Sequence, residues 1–273
     1  MNKKLVVFGL IIAVGLMAGA IFTQAKLVTS KATDPGKLSV AITEDSISDL
    51  VSEAKSMTDL VCGEPVLDSD GNSYSTVTVK SQCWMGENLR TKTKPNGTCI
   101  NGGGNPPCAD ASVADNGQGR ACYGNNEANC KSNGALYKWT AAMNGSITEG
   151  AQGICPKNWH VPSDSELAFL EQYLTDDGQP CDPNRNQFNP NQCATAGAKL
   201  AIGGSSGLDF PFAGVRTNAF TFMYAGGSSY IMSSSTSVSP AGTYARELNT
   251  GSDKVGRYVF GGQAISLRCI KNS

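Results

Sequence analysis

The chain has 273 residues, 40 % of them hydrophobic and only 16 % charged, with a formal net charge of −1. Near-neutrality excludes a nucleic-acid binder, and equally a protein held to anionic membranes by bulk charge. With 31 glycines and abundant small polar residues, the composition describes a folded, loop-rich domain, neither a coiled coil nor a disordered tail.

Met1-Asn2-Lys3-Lys4 is a short basic start, Leu5 to Phe22 carries no charge, and Thr23-Gln24-Ala25 offers small residues to a signal peptidase. The apolar run is about as long as a bilayer span, roughly 18–20 residues. Residues 1–25 therefore read as a signal peptide or a membrane anchor, cleavage after Ala25 being the preferred reading. Membrane contact is expected only through residues 5–22, if they are retained. No cysteine follows the small residues from Leu16 to Ala20, so lipoprotein processing is not expected. The protein is expected outside the cytoplasm, secreted or at the cell surface.

All ten cysteines (Cys62, Cys83, Cys99, Cys108, Cys122, Cys130, Cys155, Cys181, Cys193 and Cys269) lie beyond this segment. An even count in an oxidising compartment reads as disulfides. Zinc would need close cysteine pairs or several histidines, and His160 is the single histidine. No metal or other cofactor is expected.

Residues 26–61 divide in two. Lys26 to Thr43 reads as a flexible linker. Ser46 to Val61 repeats apolar residues at helical spacing (Ile47, Leu50, Val51, Ala54, Met57, Leu60) and predicts a short amphipathic helix. The main domain is assigned to 62–273. Its first element is a hairpin around Asp70-Gly71, between Pro65-Val66-Leu67 and Tyr74 to Val79. The acids in this turn do not fit a calcium loop, because Gly71 is fourth and Val79 twelfth from Asp68.

Thr91 to Asn133 lacks periodicity and calls for stapling; Cys99 with Cys108 and Cys122 with Cys130 could each close a small loop there. Ala135 to Met143 reads as a short helix. Ser163-Asp164-Ser165-Glu166 is a capping box, followed at helical spacing by Leu167, Leu170, Tyr173 and Leu174. The polar loop Asp176 to Gln192 is closed by Cys181 and Cys193 on grounds of proximity. Short strands follow at Phe210–Val215, Phe220–Tyr224, Tyr230–Ser233, Tyr244–Leu248, Val255–Phe260 and Ala264–Ile270. Helices first and strands later give a disulfide-stapled α+β fold.

Several blocks resemble, in order, the Fibrobacter succinogenes major paralogous domain family. They are Asp68-x-Asp70-Gly71-Asn72-x-Tyr74, Gln82-x-Trp84-Met85-x-Glu87-Asn88-Leu89, Gly134-x-Leu136-Tyr137-x-Trp139, Gly153-Ile154-Cys155-Pro156 with Trp159-His160-Val161-Pro162, Phe212-Ala213-Gly214-Val215-Arg216, Ala245-Arg246-x-Leu248, Val255-x-Arg257 and Ser266-Leu267-Arg268-Cys269. The resemblance implies a C-type-lectin-like fold, which also houses the formylglycine-generating enzymes, and a Cys155–Cys269 disulfide. Cys62 and Cys83 stand outside the family pattern as an extra bridge, as do Cys181 and Cys193. The family brings no established activity.

Formylglycine-type catalysis needs two nearby redox cysteines, and Cys269 stands alone near the C-terminus. His160 reads as a half-buried structural histidine bonded to backbone. Asp176-Asp177 and the Glu166/Glu171 pair fall on a loop or a solvated helix face, a poor setting for glycosidase carboxylates. The calcium-lectin signatures Glu-Pro-Asn and Gln-Pro-Asp are absent from the strand-rich half. Arg216, Arg246 and Arg257 are expected partly buried on backbone carbonyls. What remains is a non-enzymatic binding or adhesion module recognising an extracellular protein or polysaccharide, with a secreted carbohydrate-active enzyme or a purely structural envelope protein as alternatives. The candidate ligand-facing residues are Tyr224 and Tyr230, aromatics flanking the Gly226–Ser229 loop.

Overall fold

The computed structural model describes residues 62–272 except 103, 110–118, 187–189 and 239–240. The expected signal or anchor, linker and amphipathic helix lie outside the described residues. The chain opens with β1 (Val66–Leu67) and β2 (Ser73–Tyr74), then β3 (Thr76–Val79) and β4 (Gln82–Met85). Next come β5 (Arg120–Ala121), α1 (Glu127–Asn133), β6 (Leu136–Lys138), α2 (Trp139–Ala142), β7 (Trp159–His160) and α3 (Asp164–Leu174). Among the described residues the elements after α4 (Ala196–Leu200) are strands: β8 (Val215–Arg216), β9 (Phe222–Met223), β10 (Ser228–Val238), β11 (Ala241–Asn249), β12 (Val255–Phe260), β13 (Ala264–Ser266) and β14 (Ile270–Lys271).

Among the described residues the main sheet runs β12-β11-β10-β13-β6-β5, with β8 and β9 attached at β13. A second sheet runs β3-β4-β14-β7, and β1 pairs with β2. The stretch expected as one strand, Ala264 to Ile270, serves both larger sheets. β13 lies beside β10 and β6, then Leu267 and Cys269 accept from Leu89 and Met85 before β14 pairs with β4 and β7. The disulfide Cys155–Cys269 locks this crossing, 114 residues apart in sequence. A loop of that size stabilises by about 4.7 kcal/mol in the chain-entropy account. The other bridges are Cys62–Cys83, Cys99–Cys108, Cys122–Cys130 and Cys181–Cys193.

The first turn shows why its residues stand where they do. Asp68 accepts from the backbone of Asp70 and Asn72 and from the Tyr74 hydroxyl at 2.6 Å, while Gly71 takes φ 79°. Asp70 reaches out to Thr91, Thr93 and the Lys92 amide, tying the hairpin to the long loop. Both carboxylates thus work as acceptors for the protein's own donors.

Two expectations about the helices are corrected. Leu136 to Lys138 is a strand, because β5 on one side and β13 on the other claim its backbone groups, and tertiary pairing overrides local helical spacing. The helical part is only Trp139–Ala142. The second correction concerns Glu171. The capping box forms as expected, with Glu166 N–H donating to Ser163 Oγ and Ser163 N–H to the Glu166 carboxylate. The spacing that turns Leu167, Leu170 and Leu174 inward also turns Glu171 inward, and it is 1 % exposed.

Glu171 is met there by Arg185 at 2.5 Å and by Arg246 Nε. Arg246 also bonds Asp164 at 2.6 Å, and Arg257 bonds the same carboxylate at 2.7 Å while lying 3.9 Å over the Tyr244 ring. Arg246 and Arg257 therefore bind chiefly carboxylates, where carbonyls were expected. The network fastens α3 to β11 and β12. The Ser233-Ser234-Ser235 run fastens the helix start, at an irregularity in β10. Ser234 N–H donates to Pro162 O, and Asp164 N–H donates to Ser235 Oγ. Elsewhere Arg268, wholly buried, stacks 3.9 Å from the Phe210 ring and donates to Gly86 O, Leu208 O and Asn88 Oδ1. Burial pushes its pKa down to about 9, which leaves it charged at neutral pH.

Replacing Glu171 by Ala strands Arg185 and Arg246 in the interior without their carboxylate. The expected loss is about 3–5 kcal/mol, read from the urea midpoint. An unchanged midpoint would mean that the pair is not an essential fastening.

Candidate functional site

The best-formed surface feature lies at the start of β10. β8 and β9 make a short hairpin, with Val215 opposite Met223 and Arg216 opposite Phe222. Its tip is braced by Thr217 N–H to Thr221 O and by the two threonine hydroxyls at 2.7 Å. Gly214 is required beneath it: at φ 71° any Cβ would come within 2.4 Å of Met223 O. Beyond β9 the chain turns sharply at Tyr224, whose carbonyl accepts from both Gly227 and Ser228. The turn is pinned from outside by Gly226 N–H to Phe212 O and by Thr250 N–H to Gly227 O.

This bracing holds two bulky aromatics in left-handed backbone, Phe220 at φ 60° and Tyr224 at φ 67°. Such a conformation costs about 1–2 kcal/mol for a residue with a Cβ. Both side chains nevertheless face solvent, Phe220 51 % and Tyr224 54 % exposed. They differ in company. The Phe220 ring is covered by this chain's own cations, Arg216 at 5.3 Å and Lys138 at 5.7 Å. Tyr224 stands 6.4 Å from Tyr230, which in turn meets Phe260 edge-on at 5.2 Å.

The two tyrosines expected at the surface are thus brought together but occupy different depths. Tyr230 is only 7 % exposed and packs with Met232 and Ala245, forming the floor on which Tyr224 sits. Phe222, also flanking the loop, rests against Tyr123 at 5.3 Å.

Register adds residues that sequence reasoning missed. Glu247 lies opposite both Tyr230 on β10 and Gly256 on β12, and Tyr258 lies opposite Ala245. Period-two alternation puts Glu247, Tyr258 and Phe260 on the Tyr230 face. Burial first, then the Glu247 charge among other causes, raises the Tyr230 and Tyr258 hydroxyls above the ordinary tyrosine pKa. The signal was present as alternation within β11 and β12, but the hairpin register that aligns them cannot be read from either strand alone.

His160 is bonded by side chains, where backbone partners were expected. Nε2 faces the Glu166 carboxylate at 2.9 Å and Nδ1 faces Asn272 Oδ1 at 2.7 Å. Burial works to lower its pKa, but Glu166 and Asn272 outweigh burial and raise it. Burial likewise works to raise Glu166, and His160 with Ser163 holds it below the usual range.

The Fibrobacter succinogenes major domain family model matches residues 77–271. The chain belongs to this family. No curated protein and no solved structure matches it. The family span begins within the first hairpin's successor, at β3, and takes in the Tyr224 turn, Glu247 and all of α3.

Two outcomes follow from these depths and pairs. Tyr230→Ala opens the floor and should cost about 3 kcal/mol, whereas Tyr224→Ala should leave the thermal midpoint nearly unchanged; equal destabilisation would put both in the core. The His160–Glu166 pair contributes stability in full below pH 6.5, the ordinary histidine value, and loses it as pH rises through the raised His160 pKa. On the acid side it is lost as pH falls below 4.5 through the lowered Glu166 pKa. The stability gap between wild type and His160→Gln should therefore shrink as pH rises above 6.5 through the raised His160 pKa; a constant gap would show that the charged pair contributes nothing.

Proposed function

We propose that the chain is an exported surface module that binds an extracellular protein or polysaccharide, and catalyses nothing. The observation that carries this reading is Tyr224: a large aromatic, more than half exposed, in unfavourable backbone, braced on three sides by backbone hydrogen bonds. Strain of this kind persists only where the surroundings over-determine it, and it gathers at ligand contacts. Rigid tyrosines bury much area on binding at small entropic cost.

Export is supported by the N-terminal Lys-Lys and apolar pattern and by the pairing of all ten cysteines, chemistry suited to an oxidising compartment. A C-type-lectin-like fold is supported by the residue blocks that run from Asp68 to Cys269, by the Cys155–Cys269 bridge beside the last strand and by the loops set among the C-terminal strands. Binding is favoured over turnover by the fate of the acids around α3: Asp164 and Glu171 are engaged by arginines and Glu166 by His160 and Ser163, so each carboxylate is committed to the protein's own donors.

The test is a glycan array and a surface-protein pull-down with the full disulfide-bonded chain, wild type against Tyr224→Ala. The substitution should abolish capture of whatever the wild type retains while the thermal midpoint holds. Undiminished capture by the variant, or release of product from a polymer by the wild type, would overturn the proposal.

A further inference from the structure

The Tyr224 face carries a charge as well as rings. Glu247 stands half-buried opposite Tyr230, with Tyr258 on the same face of the neighbouring strand, and the Tyr230 ring in turn meets Tyr224 and Phe260. Among the described residues no lysine, arginine or histidine forms an ion pair with Glu247, whereas Asp164, Glu166, Glu171 and Asp176 are all paired. The Glu247 charge acts on the hydroxyls of Tyr230 and Tyr258. A carboxylate left without a counter-charge beside aromatic faces attracts a cation twice, by Coulomb force and through the ring quadrupoles.

The surrounding surface has the matching sign. Among the described residues six arginines are buried (Arg120, Arg185, Arg216, Arg246, Arg257, Arg268) against two buried acids, Asp68 and Glu171. A net charge near zero for the whole chain therefore hides an excess of negative charge outside. Such a surface steers cations. The second exposed aromatic shows the same chemistry in use within the molecule, since Phe220 is capped by Arg216 and Lys138.

Resting on the binding function proposed above, we infer that the Tyr224–Glu247 face receives a cationic side chain, an alkylammonium or guanidinium group displayed by a protein ligand. The carboxylate neutralises the charge, and Tyr224 lies against the alkyl stem or the guanidinium plane. Polysaccharide, the other ligand class, would use the rings but gain little from an uncompensated carboxylate.

Calorimetric titration of the intact chain with tetralysine peptide and with uncharged β-glucan oligosaccharides decides between them. Tetralysine should bind, should be released by about 0.5 M salt, and should weaken at least about tenfold in Glu247→Gln while that variant melts like wild type. Absence of tetralysine binding, or equal binding to Glu247→Gln, overturns the inference. Tetramethylammonium added to the wild type is a second measurement that needs no variant. It should shift the ring resonances of Tyr224, Tyr230 and Tyr258, and shifts confined elsewhere overturn the inference. Oligosaccharide binding that is lost in Tyr224→Ala but kept in Glu247→Gln also overturns it, and leaves the binding function standing. Loss of that broader reading has its own signature, surface capture that Tyr224→Ala does not change.

Discussion

The buried meeting of Glu171 and Asp164 with Arg185, Arg246 and Arg257 decides where everything else in the strand-rich half can lie. Helix α3 has few residues with which to hold a twisted sheet, and its apolar stripe is interrupted by an acid. An acid in that place is tolerable only if cations reach it from the sheet, so Arg246 on β11 and Arg257 on β12 are brought under the helix. Arg185 arrives from the disulfide-closed loop and carries that loop with it through bonds to Pro190 O and Asp182 O. Three segments distant in sequence thus share one charge balance, and none can shift without uncovering a buried ion.

Because side chains alternate along a strand, fixing one face of β10 and β11 fixes the other. Ile231, Leu248 and Arg246 look toward α3, so Tyr230 and Glu247 must look away. A one-residue slip would bury Glu247 beside Glu171 and expose Arg246, which the ion network forbids. The face that carries Tyr230 and Glu247 is in this sense a consequence of the buried side. The hairpin of β8 and β9 then completes it, its turn pinned to Phe212 and Thr250, so that Tyr224 is set against a floor whose position is already determined.

Features that depend on neighbours in sequence were legible: the Asp70-Gly71 turn, the capping box at Ser163, the stapled loops and the last strands in outline. Features that depend on distant partners were not. Leu136 to Lys138 has helical spacing and becomes a strand only because β5 and β13 flank it. Glu171 reads as a solvated helix position until the arginines that neutralise it are known to be 14 and 75 residues away. The expected strand Tyr230–Ser233 stops short of Ser234 and Ser235, yet all three serines are buried because the start of α3 bonds to this run. Tyr224 and Tyr230 could be picked out as aromatics on a Gly/Ser turn, but their different depths follow from the β10–β11 register. The resemblance blocks themselves come together in space: Asn88 from one bonds Arg268 from another, and Asp164, two residues after the block that ends at Pro162, bonds Arg246 and Arg257 from two more.

The same logic explains why arginine, and not lysine, fills the interior, and what that does to the surface. A fold with few helices and long loops buries many carbonyls that no ladder satisfies, and each needs a donor. Arginine offers five donors in a plane that also stacks on rings. Arg268 collects Gly86 O and Leu208 O over Phe210, Arg185 collects Pro190 O and Asp182 O, Arg257 takes Arg185 O, and Arg120 takes Arg90 O. Cations drawn inside to satisfy loop carbonyls are unavailable to pair with acids outside. Among the described residues Glu247 has no cation in an ion pair with it, and the backbone economy of the core thereby sets the electrostatic character of the face that Tyr224 presents.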